Sequence, residues 1–149
     1  MESRSREPNN DYLIPFGRGR IRREGRDGTI VTWGASAYQA LEIARGKEQE
    51  GYLLEVVDIR SIVPLDEELI YESVRKTNRV IVLHEDSLTQ GFGAEVSACI
   101  AEHCFEHLDA PVLRVAAKDS FVPSATILED AILPSLADLG DAVEKLLAY

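Results

Sequence analysis

From Thr29 to Leu147 the chain switches at regular intervals between short β-branched runs and longer stretches of helix formers, and this alternation constrains the fold most. Thr29–Trp33 is a β-rich run that stops at Gly34, the pattern of a buried strand. Helix formers follow from Ser36 to about Gln49, with Tyr38, Leu41, Ile43 and Ala44 near helical spacing, and Gly51 ends them. Tyr52–Asp58 reads as a second strand. Pro64 then stands in the first turn of a helix with Asp66, Glu67 and Glu68 at its positive dipole end. That helix is expected to turn Leu65, Leu69, Ile70 and Val74 inward and to end near Lys76–Asn78. Arg79–Leu83, almost wholly aliphatic, has the composition of a central strand. A loop over His84–Gln90 leads into a helix from Gly91 to about His107. Its wheel sets Ala94, Ala98, Ala101, Phe105 and Leu108 on one inward stripe, with Glu95, Glu102 and Glu106 facing away. Pro111–Ala116 is a fourth strand and residues 118–124 are irregular. Pro134 separates a short helix, Ile127–Ile132, from a last one, Ser135–Leu147. Strands alternating with helices predict an α/β domain with a mostly parallel sheet covered on both faces.

The 149 residues amount to about one domain, large enough to bury a core without a disulfide or metal staple. No apolar run approaches the roughly 18 residues of a membrane span, and Met1–Asn10 carries no apolar signal core. Two cysteines make no disulfide framework, so a reducing cytoplasm is the expected compartment. The net charge of −10 argues against nucleic acid, whose affinity comes from Lys and Arg on phosphates. Charge is unevenly spread. Residues 1–26 hold seven arginines against four acidic residues, a balance of +3, whereas 27–149 carry −13. Because Leu13, Ile14, Phe16 and Ile21 interleave with the arginines, this segment is expected to lie extended on the acidic body of its own domain rather than to bind an anion. Residues 1–10 read as a disordered leader or an expression remnant, and 11–149 as the domain.

Few residues could do chemistry. Gly91-Phe92-Gly93 before a helix could cradle a phosphate, but a dinucleotide fingerprint needs its glycines directly after the strand and a third at position 96, which is Val. Tight helix packing is the preferred reading of these glycines. Cys99, His103 and His107 recur at four-residue spacing on one flank, a geometry that permits zinc. No fourth ligand is near in sequence, and a small core Cys with half-buried His is preferred. His84, Glu85 and Asp86 follow the central strand, at the sheet's carboxyl edge where α/β proteins place ligands. A site-facing loop and a plain polar loop with a helix cap both remain open there. No serine occupies a nucleophile elbow, and no catalytic, cofactor-binding or metal-binding residue is assigned.

Five blocks come in a fixed order: Asp11–Gly17, Gly28–Gly34, Glu55–Asp66, His84-Glu85 with Gly91–Glu95, and Leu108–Val115. In that order and spacing the stretch from Asp11 to Tyr149 resembles the C-terminal domain of the transketolase family. Within the family it is most like the beta subunit of the thiamine diphosphate-dependent, decarboxylating component of 2-oxoacid dehydrogenase complexes, of pyruvate or branched-chain (2-oxoisovalerate) type. The resemblance implies a three-layer α/β/α sandwich with about five strands, one antiparallel. It implies an oxidoreductase whose thiamine diphosphate and catalytic histidine are held by domains absent here, leaving this chain inactive and without cofactor alone. The partners implied are an alpha subunit or alpha-like domain, a second copy, and the acyltransferase's peripheral subunit-binding domain, the last met by Asp109 and the carboxylate of Tyr149. The C-terminal domain of a transketolase or deoxyxylulose-phosphate synthase, and a free-standing α/β interaction module, are the alternatives. Two positions depart from the family pattern: Val122-Pro123 is followed by Ser124-Ala125 where a second proline-rich turn is usual, and Trp33 stands where Tyr is common.

Overall fold

The computed structural model describes residues 13–121 and 125–149. The leader reading of 1–10 and the altered turn at Val122–Ser124 fall outside the described residues. Strand β1 (Arg20–Arg23) is followed by β2 (Gly28–Thr32), α1 (Ser36–Gln49), β3 (Leu54–Asp58), α2 (Glu67–Thr77) and β4 (Val80–Ser87). Then come α3 (Phe92–Cys104), a single 3-10 turn at Phe105–His107, β5 (Leu113–Ala117), α4 (Thr126–Asp130) and α5 (Leu136–Leu147). The five strands form one sheet in the order β1-β3-β2-β4-β5, parallel throughout except for the antiparallel edge strand β1. The expected α/β sandwich with one antiparallel strand is the fold observed.

Side chains on a strand alternate between faces, and that period of two builds two cores from one sheet. Along β4, Ile81 and Leu83 join Ile30, Leu54 and Val56 under α1 and α5, against Ala40, Ala44, Leu139, Val143 and Leu146. Val80 and Val82 point the other way, with Val31 and Val57, against Ile70, Tyr71 and Val74 of α2 and Val96, Ile100 and Cys104 of α3. Strands covered on both faces have to be apolar on both, which explains the uninterrupted aliphatic runs. Each fully buried aliphatic side chain contributes roughly 1.5–3 kcal/mol.

From Arg20 the Arg-rich segment does lie on the body, whereas Leu13, Ile14 and Phe16 before it are exposed rather than packed between the arginines. Ile21 pairs opposite Val57, Arg22 meets Asp58 at 3.2 Å and Arg23 meets Glu48 at 2.9 Å. Glu55, fully buried within β3, takes the Gly25 N–H at 3.2 Å and the Lys76 ammonium, which also binds Glu24.

Several local expectations are corrected. Pro64 lies before α2, not within its first turn, joined to Val63 by a cis peptide bond, and Asp66 occupies the cap position. Tyr38 is exposed, because the buried face of α1 is Ser36, Ala37, Ala40, Ala44 and Lys47. The His84–Gln90 loop is shorter than read: β4 continues through Ser87, which pairs with Ala117. The largest change is in α3. Its buried residues are Gly93, Val96, Ile100 and Cys104, while Ala98, Ala101 and Phe105 face out.

Candidate functional site

After β2 the chain passes through α1 to β3 on one side and later returns to β4 on the other, so the carboxyl ends of β2 and β4 form the switch point of the sheet. That is where open α/β sheets leave a crevice for ligands. Here aromatic side chains fill it. Trp33, just past β2, stacks on His84 of β4 with ring centroids 5.2 Å apart and planes 4° from parallel, and Phe92 meets Trp33 edge-on at 5.8 Å. His84 is completely buried, and neither ring nitrogen makes a hydrogen bond of normal geometry. Burial holds its pKa below the ordinary histidine value, with Asp86 pulling the other way and Arg114 reinforcing the burial.

Gly93 makes room for this ring, and Gly91 chiefly for the chain that turns beneath it. A Cβ at Gly93 would overlap the imidazole, and one at Gly91 would overlap the Ser87 carbonyl. The packing reading of Gly91 and Gly93 therefore holds over the phosphate-cradle reading. The Asp86 carboxylate takes the Ser87 N–H at 2.7 Å and faces the Phe92 N–H at 3.4 Å, where an anion would have to sit. His84 thus faces the interior, and Glu85 is exposed beside it.

The Cys99 flank is turned onto its own protein. His103 stacks on Tyr71 at 4.8 Å, and its Nδ1 lies 3.0 Å from the Cys99 carbonyl oxygen. Burial first, then the Glu95 and Glu67 carboxylates, push the Cys99 thiol up, away from the thiolate a metal or an electrophile would need. Among the described residues no three His, Cys, Asp or Glu side chains gather as a metal site.

The opposite end of the sheet, where parallel strands begin, holds the other two sequence candidates. Asp109 sits in the turn after the 3-10 segment, and its N–H donates to the Asn78 carbonyl at 2.8 Å. Among the described residues its carboxylate accepts no hydrogen bond, so a side-chain turn cap is not what holds this turn. It stands exposed on the wall of an open groove of about 530 Å3 formed by Ala101, Phe105, Leu108, Pro111 and Val112. Tyr149, 57% exposed, ends the chain two residues after α5, whose Leu146 packs in one cluster with Ala110, the neighbour of Asp109. A stripe that turns Phe105 inward hides this groove in the sequence, where the absence of Lys and Arg from residues 92–112 is its available signal.

The family model for the transketolase C-terminal domain matches residues 17–139. The chain is 38% identical over 142 residues to the mitochondrial 2-oxoisovalerate dehydrogenase subunit beta 2 of Arabidopsis thaliana, covering 95% of this chain and 39% of that protein. It is 42% identical over 136 residues to the pyruvate dehydrogenase E1 component subunit beta of Rickettsia conorii, covering 91% of this chain and 42% of that protein. Among solved structures it superimposes with a TM-score of 0.76 and 35% identity on a split-gene transketolase described as an inactive beta4 tetramer, covering 93% of this chain and 45% of the other. The transketolase of Campylobacter jejuni, at 15% identity and a TM-score of 0.57, shares the fold. The chain thus spans about two fifths of the length of the curated relatives it matches.

Proposed function

The chain belongs to the transketolase C-terminal domain family, and from that premise we propose that it serves as the C-terminal domain, residues 11–149, of a beta subunit in the decarboxylating component of a pyruvate or 2-oxoisovalerate dehydrogenase. The observation that supports this best is 38–42% identity, over nearly the whole chain, to proteins of those names. In that role it belongs to a thiamine diphosphate-dependent oxidoreductase and does the work of assembly and docking. At the glycine-flanked start of α3 the His84 ring and the Asp86 carboxylate take up the space a diphosphate would need. Glu85, exposed at that end, is offered as facing the rest of the enzyme, with His84 as its buried support. The partners are an alpha subunit or alpha-like domain, a second copy, and, at Asp109 and Tyr149, the acyltransferase's peripheral subunit-binding domain. A reducing cytoplasm suits two free thiols, although the Arabidopsis relative is mitochondrial; among the described residues no helix is long and apolar enough to cross a membrane.

Calorimetry tests this directly. Titrating the acyltransferase binding domain into the chain should give a salt-sensitive complex that Asp109→Ala weakens at least tenfold, as expected when one partner of a desolvated charge pair is removed, with an unchanged melting temperature. Thiamine diphosphate should give no micromolar heat. Lost stability with unaltered affinity would sink the docking role. The split-gene transketolase favours a transketolase-type chain as a second reading. Ketol transfer rather than 2-oxoacid decarboxylation, on reconstitution with a partner chain, would establish it.

A further inference from the structure

Strand β5 ends the sheet, and beside it lies an open cleft of about 310 Å3 that shares no residue with the Phe105 groove. One wall is β5 itself, which presents Arg114 and, just beyond its end, Lys118. The other wall is the first half of α5, which presents Asp138 and, one turn on, Asp141. Leu88, Ile132 and Leu133 make the remaining lining apolar. The charges on the two walls do not neutralise one another. Among the described residues no ion pair crosses the cleft. Arg114 is held back on its own side by donating to the Leu88 carbonyl at 2.6 Å, and Lys118 by donating to the Ala131 carbonyl at 2.8 Å. Each uses one donor there and keeps the others, since a guanidinium has five and an ammonium three. Asp138 is engaged by the Ser135 N–H and hydroxyl at 2.9 and 2.6 Å, whereas exposed Asp141 has no hydrogen-bond partner among the described residues. The main chain contributes too. The Ala117 carbonyl accepts the Leu88 N–H, so by the alternation of a strand Ala116 turns its own N–H and C=O to the open edge.

We propose that this cleft binds a small zwitterion, an α-amino acid with a short aliphatic side chain. Its carboxylate meets Arg114 and Lys118, its ammonium meets Asp141, and its side chain lies on Leu88, Ile132 and Leu133. Opposite charges held on separate walls of one small cleft are both satisfied only by a ligand that carries both. A simple anion would face the carboxylates of α5, and a simple cation would face Arg114 and Lys118, so each is disfavoured by the wall it does not match. The site is independent of the docking reading and lies outside the surface that reading uses.

Calorimetric titration of the chain with L-leucine is the test. One site per chain is expected, with a Kd between about 10 µM and 10 mM, the range open to a ligand of about nine non-hydrogen atoms. Asp141→Asn and Arg114→Gln change exposed side chains, so both proteins should fold as the wild type does, and each should bind leucine at least tenfold more weakly. The ligand is varied in parallel. 4-Methylpentanoate lacks the ammonium and 3-methylbutylamine lacks the carboxylate, and each should bind at least tenfold more weakly than leucine. No saturation by about 20 mM leucine overturns the proposal. So does unchanged affinity in either variant, which would put the ligand elsewhere. Equal binding of either analogue would show that the cleft reads a single charge, and that overturns it as well. N-acetyl-leucine amide, which has no charge but can pair with the open edge of Ala116, should not bind. If it bound as tightly as leucine, the edge would be a seat for an extended peptide, and the zwitterion site would fall.

Discussion

A histidine buried between a tryptophan and a helix backbone has one comfortable protonation state. His84 has no solvent contact and no well-formed hydrogen bond for either nitrogen, so a charged imidazole there would be stabilised only by Asp86 and opposed by Arg114. Its folded pKa is therefore lowered below the ordinary value of about 6.5. As pH falls below that ordinary value, the unfolded chain takes up a proton that the folded chain refuses, and the balance shifts toward unfolding. Stability should thus be flat above about pH 6.5 and should fall between there and the lowered folded value, by at most about 1.4 kcal/mol per pH unit. Trp33 is the sole tryptophan and stacks on this ring, so its emission reports both the unfolding and the charging of His84. Urea unfolding followed at Trp33 should show the acid-side loss in the wild type and not in His84→Phe. An identical pH profile for the two proteins would show that the ring titrates freely.

At the scale of the element, the same contact decides how α3 can begin. Its first turn lies against the His84 ring, and Gly93 is the residue without a side chain at the point of closest approach. Gly93→Ala should cost roughly 1–3 kcal/mol, the usual penalty for forcing a methyl group into a filled core. Gly46, inside α1 with open space around it, is the matched control: Gly46→Ala should stabilise by up to about 1 kcal/mol, since alanine is simply the better helix former. Denaturation midpoints moving in opposite directions would establish the packing role, and two shifts of the same sign would refute it. Helix boundaries were legible where punctuation is local: α1 runs over Ser36–Gln49, as the residues between Gly34 and Gly51 suggest. The inward face of α3 was not. Two stripes one residue apart in phase both satisfy a helical period, and alanine is at home on either, so only the sheet beneath decides between them. The end of β4 was illegible for a different reason. His84 through Ser87 are polar, yet the strand continues because β5 supplies a partner from distant sequence. The candidate site was half visible. The glycines and His84 could be picked out, but their contact joins two segments that only tertiary structure brings together.

Across the whole molecule, the basic first segment and the acidic remainder are two parts of one sheet. Residues 1–26 carry +3 and include β1, whose ladder closes the free edge of β3. This segment is held by the ladder, by the ion pairs Arg22–Asp58, Arg23–Glu48 and Lys76–Glu24, by the N–H groups of Gly17, Gly19 and Arg26 on Ser61, Asp66 and the Leu53 carbonyl, and by the Gly25 contact with buried Glu55. The ion pairs are partly exposed, and such pairs are worth well under 1 kcal/mol each, less in salt. The Gly25 contact is different. A Cβ there would collide with the main chain of Leu53–Glu55, and losing its N–H leaves a fully buried carboxylate to Lys76 alone. Removing residues 1–26 should therefore lower stability by several kcal/mol, as breaking a buried charge network does. It would also free the ladder groups of Val56 and Val57 as an edge on which chains can pair, although the net charge rises in magnitude from −10 to −13. Raising salt to about 1 M on the intact chain should change the unfolding midpoint little by comparison, because screening reaches only the exposed ion pairs. Urea denaturation of both chains, with light scattering on the shortened one, measures these effects. A shortened chain that unfolds at the same midpoint and keeps the same size would show that β1 is only laid on the sheet. High salt that alone reproduced the loss would return the attachment to charge.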